Sequence, residues 1–137
     1  MLEYRNASLY CDDVELETIA RKVGTPCYVY SARAILVAYR AYDAAFGTLP
    51  HTVCYAVKAN SNLAVLALLA KAGAGFDIVS GGELFRVVRA GGDPRKVVFS
   101  GVGKTADEMS YALKLGIHSF NCESESELAL LNEIAGG

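Results

Sequence analysis

The sequence predicts an α/β fold in which four consecutive strand-helix units lie as successive parts of a (β/α)8 barrel. Three observations predict it. From residue 53 onward, apolar runs and helical patterns alternate at a period of about 21 residues, each unit carrying a strand, a turn and a capped helix. The last three helical patterns open on Ser or Thr with Glu three residues later, and all four close on glycine. Several strands carry a polar residue near the C-terminal end of one face. A doubly wound sheet buries both strand faces in apolar packing, whereas a barrel builds its sites from those C-terminal ends.

Residues 1–30 form a segment apart from the repeat. Tyr10 begins a short stretch, and Asp12 or Asp13 caps a helix whose Leu16, Ile19, Ala20 and Val23 recur at helical spacing until Gly24 ends it. Thr25-Pro26 forces an extended chain, and Cys27 to Tyr30 read as a strand. Ser31 caps a second helix through Ala34, Ile35, Ala38, Tyr42 and Ala45 to Gly47, with Arg33, Arg40 and Asp43 toward water. The strands of the repeat are Val53 to Val57, Phe76 to Val79, Val97 to Phe99 and about Ile117 to Cys122. The helices run near 61–72, 82–90, 106–115 and 125–135. Ser80 with Glu83, Thr105 with Glu108 and Ser124 with Glu127 read as capping boxes. Gly73, Gly91, Gly116 and Gly136 sit where left-handed caps turn the chain back into the next parallel strand.

Composition removes several function classes. A chain of 137 residues that is 53% apolar with a formal net charge of -2 has no basic footprint for nucleic acid. No apolar run reaches the roughly 18 residues of a membrane span, and Glu3 and Arg5 precede no apolar signal core, so a cytoplasmic location is expected. Cys11, Cys27, Cys54 and Cys122 form no CxxC pair. Two of them lie in apolar strand-like runs, so buried reduced thiols are expected, with neither disulfide nor metal site. His51 and His118 lack spaced ligand partners and read as surface or packing residues.

The stretch from Val53 to Asn60 drives a short apolar run into a lysine and then breaks. On a strand, Cys54, Ala56 and Lys58 share one face, and the small residues leave room above the amine that a Schiff-base lysine needs. Asp77, between Phe76 and Ile78, points to the same side, and a buried carboxylate needs a partner. It is either a plain salt bridge to Lys58 or the group that orients this lysine. Ser100, and Asn121 with Glu123, stand at the ends of the following strands and complete a polar rim. Ser80-Gly81-Gly82 reads as a tight turn in preference to an anion cradle. Gly101-Val102-Gly103-Lys104-Thr105 lacks the preceding glycine and spacing of a phosphate loop, so nucleotide binding is not expected.

Tyr55-Ala56-Val57-Lys58-Ala59-Asn60, followed by Gly75-Phe76-Asp77-Ile78-Val79-Ser80-Gly81-Gly82-Glu83-Leu84, resembles the diaminopimelate decarboxylases, of the alanine-racemase-like class of pyridoxal-phosphate enzymes. The resemblance extends through Gly24 to Tyr30, Phe99 to Thr105 and Asn121 to Leu128, and so covers essentially the whole chain. It implies the N-terminal half of a pyridoxal-phosphate-binding (β/α)8 TIM-type barrel over residues 31–137, with residues 1–30 joining a β-domain. It implies pyridoxal 5'-phosphate as cofactor, Lys58 as the catalytic lysine bonded to it, Asp77 beside that lysine, and Ala56 near the cofactor ring. The implied reaction is decarboxylation of meso-diaminopimelate to lysine, in lysine biosynthesis, by a homodimer with a small amino-acid substrate. The family's ring-stacking histidine, phosphate loop, acid at the pyridine nitrogen, and cysteine and tyrosine near the substrate are expected outside these 137 residues, and Cys122 is not that cysteine. The chain by itself is therefore expected to self-associate and not to turn over substrate. Alternative readings are another amino-acid decarboxylase or racemase of this fold, a non-catalytic pyridoxal-phosphate-binding module, and a lysine-aldolase barrel without cofactor.

Overall fold

The computed structural model describes residues 2–136. It comprises two compact units, Met1–Ala45 and Phe46–Gly137. In the first, β1 (Leu2–Arg5), β2 (Ser8–Cys11) and β3 (Val14–Glu15) form an antiparallel meander, followed by helices α1 (Leu16–Val23) and α2 (Ala32–Ala45). The sequence predicts only a short stretch at Tyr10 here and not the meander. Its first turn explains why. Asn6 and Ala7 both take positive φ, as a two-residue hairpin turn demands, yet Ala stands where glycine usually announces such a turn.

Asp12 and Asp13 do not cap α1: its N-cap is Glu15, without a side-chain cap bond, because the β2–β3 turn occupies both aspartates. Asp12 instead accepts from Ser31 Oγ (2.7 Å) and the Arg33 backbone N–H, and Asp13 pairs with Arg33 (2.8 Å). These bonds tie the start of α2 to the meander. Ser31 caps α2 as expected, accepting from Ala34 N–H at 2.9 Å, but the helix stops at Ala45 and not at Gly47. Cys27 to Tyr30 form no strand, since no neighbouring segment pairs with them. Tyr28 is 91% exposed, and Cys27 is exposed too, so the thiol expected to be buried there is not.

The second unit carries the repeat. Strands β4 (Cys54–Ala56), β5 (Gly75–Ile78), β6 (Val97–Phe99) and β7 (Ser119–Phe120) lie side by side in sequence order, all parallel. Helices α3 (Leu63–Lys71), α4 (Gly81–Arg89), α5 (Ala106–Leu115) and α6 (Glu125–Ala135) follow them in turn, neighbours packing in pairs. The predicted βα order is thus present in full. β6 spans Val97–Phe99 as expected and β5 begins and ends one residue early, whereas β4 and β7 are shorter than the apolar runs suggest, because ladder pairing ends before the apolar pattern does. The structural consequence is largest at β4: the chain turns into a 3-10 helix at Val57–Ala59, closed by Asn60 N–H on Val57 O at 3.1 Å. Lys58 therefore sits in that turn and not on a strand.

One face of β5 and β6 is fully buried through Phe76, Ile78, Val97 and Phe99, against Leu66, Leu69, Leu84, Val87, Met109 and Ala112 from the helices. Phe99 stacks on Phe120 with centroids 5.8 Å apart. The other face carries smaller and polar residues: Cys54, Ala56, Gly75, Asp77, Val98 and Ser119. Alternation along a strand makes the two faces exclusive, so burying Phe76 and Ile78 presents Asp77 on the opposite side.

At Gly75 the sheet approaches itself closely. A Cβ there would stand 2.6 Å from Lys96 O, 2.7 Å from Cys54 Sγ and 2.9 Å from Thr52 Cγ2. Gly75→Ala must displace the Lys96 backbone carbonyl and the Cys54 and Thr52 side chains and is expected to lower stability by about 1–3 kcal/mol, read from the midpoint of urea unfolding. Among the described residues, β4 and β7 each have one neighbour strand, leaving a free edge on both sides of the sheet. Unpaired edges template association. Sedimentation of the 137-residue chain over a wide concentration range is expected to show self-association, and a concentration-independent compact monomer would contradict this.

Candidate active site

The polar rim foreseen from scattered residues is a continuous row of hydrogen bonds. Lys58 Nζ donates to Asp77 Oδ2 at 3.1 Å, Ser100 Oγ donates to Asp77 Oδ1 at 2.6 Å, and Asn121 Nδ2 donates to Ser100 Oγ at 3.0 Å. The row crosses the C-terminal ends of all four strands. Its register follows from the ladder. Ala56 pairs with Asp77 and Asp77 with Val98, while Ser100 N–H bonds Ile78 O (2.8 Å) and Asn121 N–H bonds Phe99 O (2.9 Å) just past the strand ends. Glu123 does not join the row; its backbone N–H donates to Glu127 Oε2 at 3.0 Å.

Magnitude argues against a stabilising role for the Lys58–Asp77 pair. Lys58 is 55% exposed and Asp77 24% exposed, and exposed pairs contribute about 0–1 kcal/mol. The contact holds an amine in place while leaving it reachable. Ala56, one strand over and level with Asp77, is the small residue beneath that amine's turn. Cys54 lies deeper on the same face, its Sγ directed to Lys96 O at 3.8 Å, and burial, then the charge of Asp77, pushes its thiol up.

Lys104 is the residue the sequence did not single out for structure. Its side chain is 0% exposed, and Nζ donates to Gly101 O (2.6 Å), Asn121 O (2.8 Å) and Glu127 Oε1 (2.6 Å). A lysine in a glycine-rich turn reads as a solvated or anion-binding group, and only the position of α6 reveals the carboxylate that neutralises it. Thr105 and Glu108 form the expected capping box. The other two boxes are shifted by one residue: Glu83 accepts from Val79 N–H and Glu127 from Glu123 N–H, while Ser80 and Ser124 cap as foreseen. Glu108 Oε1 also takes Gly81 N–H at 2.8 Å. That carboxylate fills the donor an anion would use, which leaves Ser80-Gly81-Gly82 as a turn.

The histidines stand apart from the row. With Thr52, Cys54, Lys96 and Val98 they line a cavity of ≈ 520 Å³ toward the opposite end of the strands, which Lys58, Asp77, Ser100 and Asn121 do not touch. Both are exposed, as the sequence suggested.

Parallel βα units with an accessible amine at the strand ends define a class of sheet-rim enzyme sites, and comparison with known proteins narrows it. Residues 32–137 match the family model described as pyridoxal-dependent decarboxylase, pyridoxal binding domain. The chain belongs to that family. It is 60% identical over 132 residues to a diaminopimelate decarboxylase of Pseudomonas aeruginosa, covering 96% of this chain and 32% of the relative, and 56% identical over 131 residues to that of Vibrio cholerae, covering 96% and 31%. A crystal structure of the diaminopimelate decarboxylase of M. jannaschii in complex with L-lysine superposes with a TM-score of 0.90 at 37% identity, over 98% of this chain and 32% of that one. The chain thus spans about a third of the length of the curated relatives it matches.

Removing the charge in Lys104→Met strands Glu127 and is expected to cost on the order of 3 kcal/mol in chemical unfolding. Lys104 holds Glu127 below the usual glutamate range, and the Gly81 and Thr105 N–H groups do the same for Glu108. Depressed folded-state values give stability that is fully present above the ordinary value of 4.5 and is lost as pH falls through the lowered values. Unfolding midpoints measured across the acid range are expected to fall accordingly, and Glu108→Gln with Glu127→Gln is expected to flatten the fall.

Proposed function

We propose that this chain supplies the cofactor-bearing part of a pyridoxal-phosphate-dependent decarboxylase of diaminopimelate, with Lys58 as the residue bonded to the cofactor. The single observation that carries this reading is the Lys58 amine held 3.1 Å from Asp77 at the C-terminal end of a parallel sheet, more than half exposed. The donor set fits a carbonyl-bearing cofactor. A primary amine is available to bond it, one carboxylate stands beside that amine, and Ala56 leaves space at the level of Asp77. When bound, the cofactor supplies an electron sink for the bond that breaks as carbon dioxide leaves.

The residues of this chain contribute position and charge. Asp77 Oδ2 accepts from Lys58 and keeps the amine over the sheet's inner face, and the 3-10 turn at Val57–Ala59 aims it there. Buried Val57 anchors that turn in the core, so the exposed amine stands on a fixed base. For exchange with a substrate amine, Lys58 must release and later recover a proton, and Asp77 is the group within hydrogen-bond reach that balances the charge in between. A homodimer acting in the cytoplasm on a small amino acid belongs to the same proposal. Its substrate assignment leans on the relatives, at 56% and 60% identity, that carry the diaminopimelate decarboxylase name.

The test is reductive trapping. The chain is incubated with pyridoxal phosphate, treated with borohydride and digested. Label is expected on the peptide carrying Lys58 and is expected to vanish in Lys58→Ala, and label on a different lysine would overturn the assignment.

A further inference from the structure

We infer that Ser100 and Asn121 are positioning residues that fix the Asp77 carboxylate, directing Oδ2 alone toward the Lys58 amine; this rests on the reading of Lys58 proposed above. The polarity of the row is set by charge and proton count. An ionised carboxylate only accepts, so the hydrogen bond between Asp77 Oδ1 and Ser100 Oγ must use the hydroxyl proton. Ser100 has no second proton, so it must accept from the next group, and the amide of Asn121 must present its NH2. Asn→Ser→Asp←Lys is the one arrangement in which every hydrogen bond has a donor. Asp77 Oδ1 is thereby engaged at 2.6 Å, and rotation of the carboxylate away from Lys58 breaks a bond to a charged acceptor.

The outer end of the row is anchored independently. Asn121 is exposed, and an exposed amide by itself holds no fixed direction. Its backbone, however, is pinned on both sides: N–H on Phe99 O at 2.9 Å and C=O on the buried Lys104 Nζ at 2.8 Å. Lys104 Nζ also holds Gly101 O, next to Ser100. One buried cation, neutralised by Glu127, thus fixes the main chain beside both positioning residues. Lys104 touches neither Lys58 nor Asp77 and acts on them through Asn121 and Ser100.

The experiment compares Ser100→Ala, Ser100→Thr, Asn121→Asp and Lys58→Ala with the unaltered chain. Asn121→Asp conserves shape, replaces the donor with an acceptor facing Ser100 and adds a charge, so it is read at high salt, which screens the charge and leaves the polarity as the difference tested. Two quantities are read. Without cofactor, trace acetylation of Lys58 is measured against the chain's other lysines by peptide mass. With cofactor, pyridoxal phosphate is titrated and the visible band of the lysine-bound form is followed. Ser100→Ala and Asn121→Asp are expected to speed Lys58 acetylation several-fold and to weaken the cofactor about tenfold, as loss of a hydrogen bond to a charged group implies. Ser100→Thr keeps the hydroxyl and is expected to behave as the unaltered chain. Acetylation and titration unchanged in a folded Asn121→Asp chain would overturn the inference, whether or not Ser100→Ala folds. A band that survives in Lys58→Ala, or no band in any chain, would instead overturn the cofactor reading, and the acetylation rates then decide the positioning role by themselves.

Discussion

The in-register parallel pairing of β4, β5 and β6 is the constraint on which the candidate site depends. Ala56 opposite Asp77, and Asp77 opposite Val98, fix one face of the sheet as the face of the row and the other as the face of the core. A slip of one residue would carry Asp77 into the packing of Leu84 and Val87 and lift Phe76 or Ile78 into water. Both consequences cost far more than the Lys58–Asp77 contact returns. The core therefore holds the site in register, and the site contributes little to the core.

Carboxylates divide between two tasks in the second unit. Glu83, Glu108 and Glu127 satisfy backbone N–H groups at helix starts, and two of them reach beyond their own helix, Glu108 to Gly81 and Glu127 to Lys104. These contacts join α4 to α5 and α6 to the β6–α5 turn. Asp77 alone among the carboxylates of the strands and their rim is left to an amine that solvent reaches. The same chemistry thus serves as structural mortar where the cation is buried, at Lys104, and as a positioning contact where it is exposed, at Lys58. Burial of the lysine decides which.

Membership of the pyridoxal-dependent decarboxylase family gives this arrangement its meaning. The family's pyridoxal-binding domain model spans the second helix and all four βα units, from residue 32 to residue 137, and the row lies wholly within it. The antiparallel meander lies outside that match, yet the similarity to the relatives extends over 96% of the chain.

The sequence by itself determined the order of elements in the repeat, the parallel α/β class, and the four polar residues that form the row. Apolar periodicity, capping residues and glycines are local signals, and each fixes its own helix or strand through interactions a few residues long. Lys58, Ser100 and Asn121 are legible for the same reason, each being polar at the end of an apolar run, and Asp77 because it interrupts one, between Phe76 and Ile78. Only the tertiary structure decided that these four touch in one row, that Lys58 leaves the strand for a 3-10 turn, and that Lys104 is buried. The row and the burial of Lys104 depend on partners 17 to 23 positions away, such as Asn121 and Glu127 for Lys104. The meander and the unpaired segment at Cys27 to Tyr30 were misread on similar grounds, since a strand exists only where another strand supplies its hydrogen bonds, and no local pattern contains that neighbour.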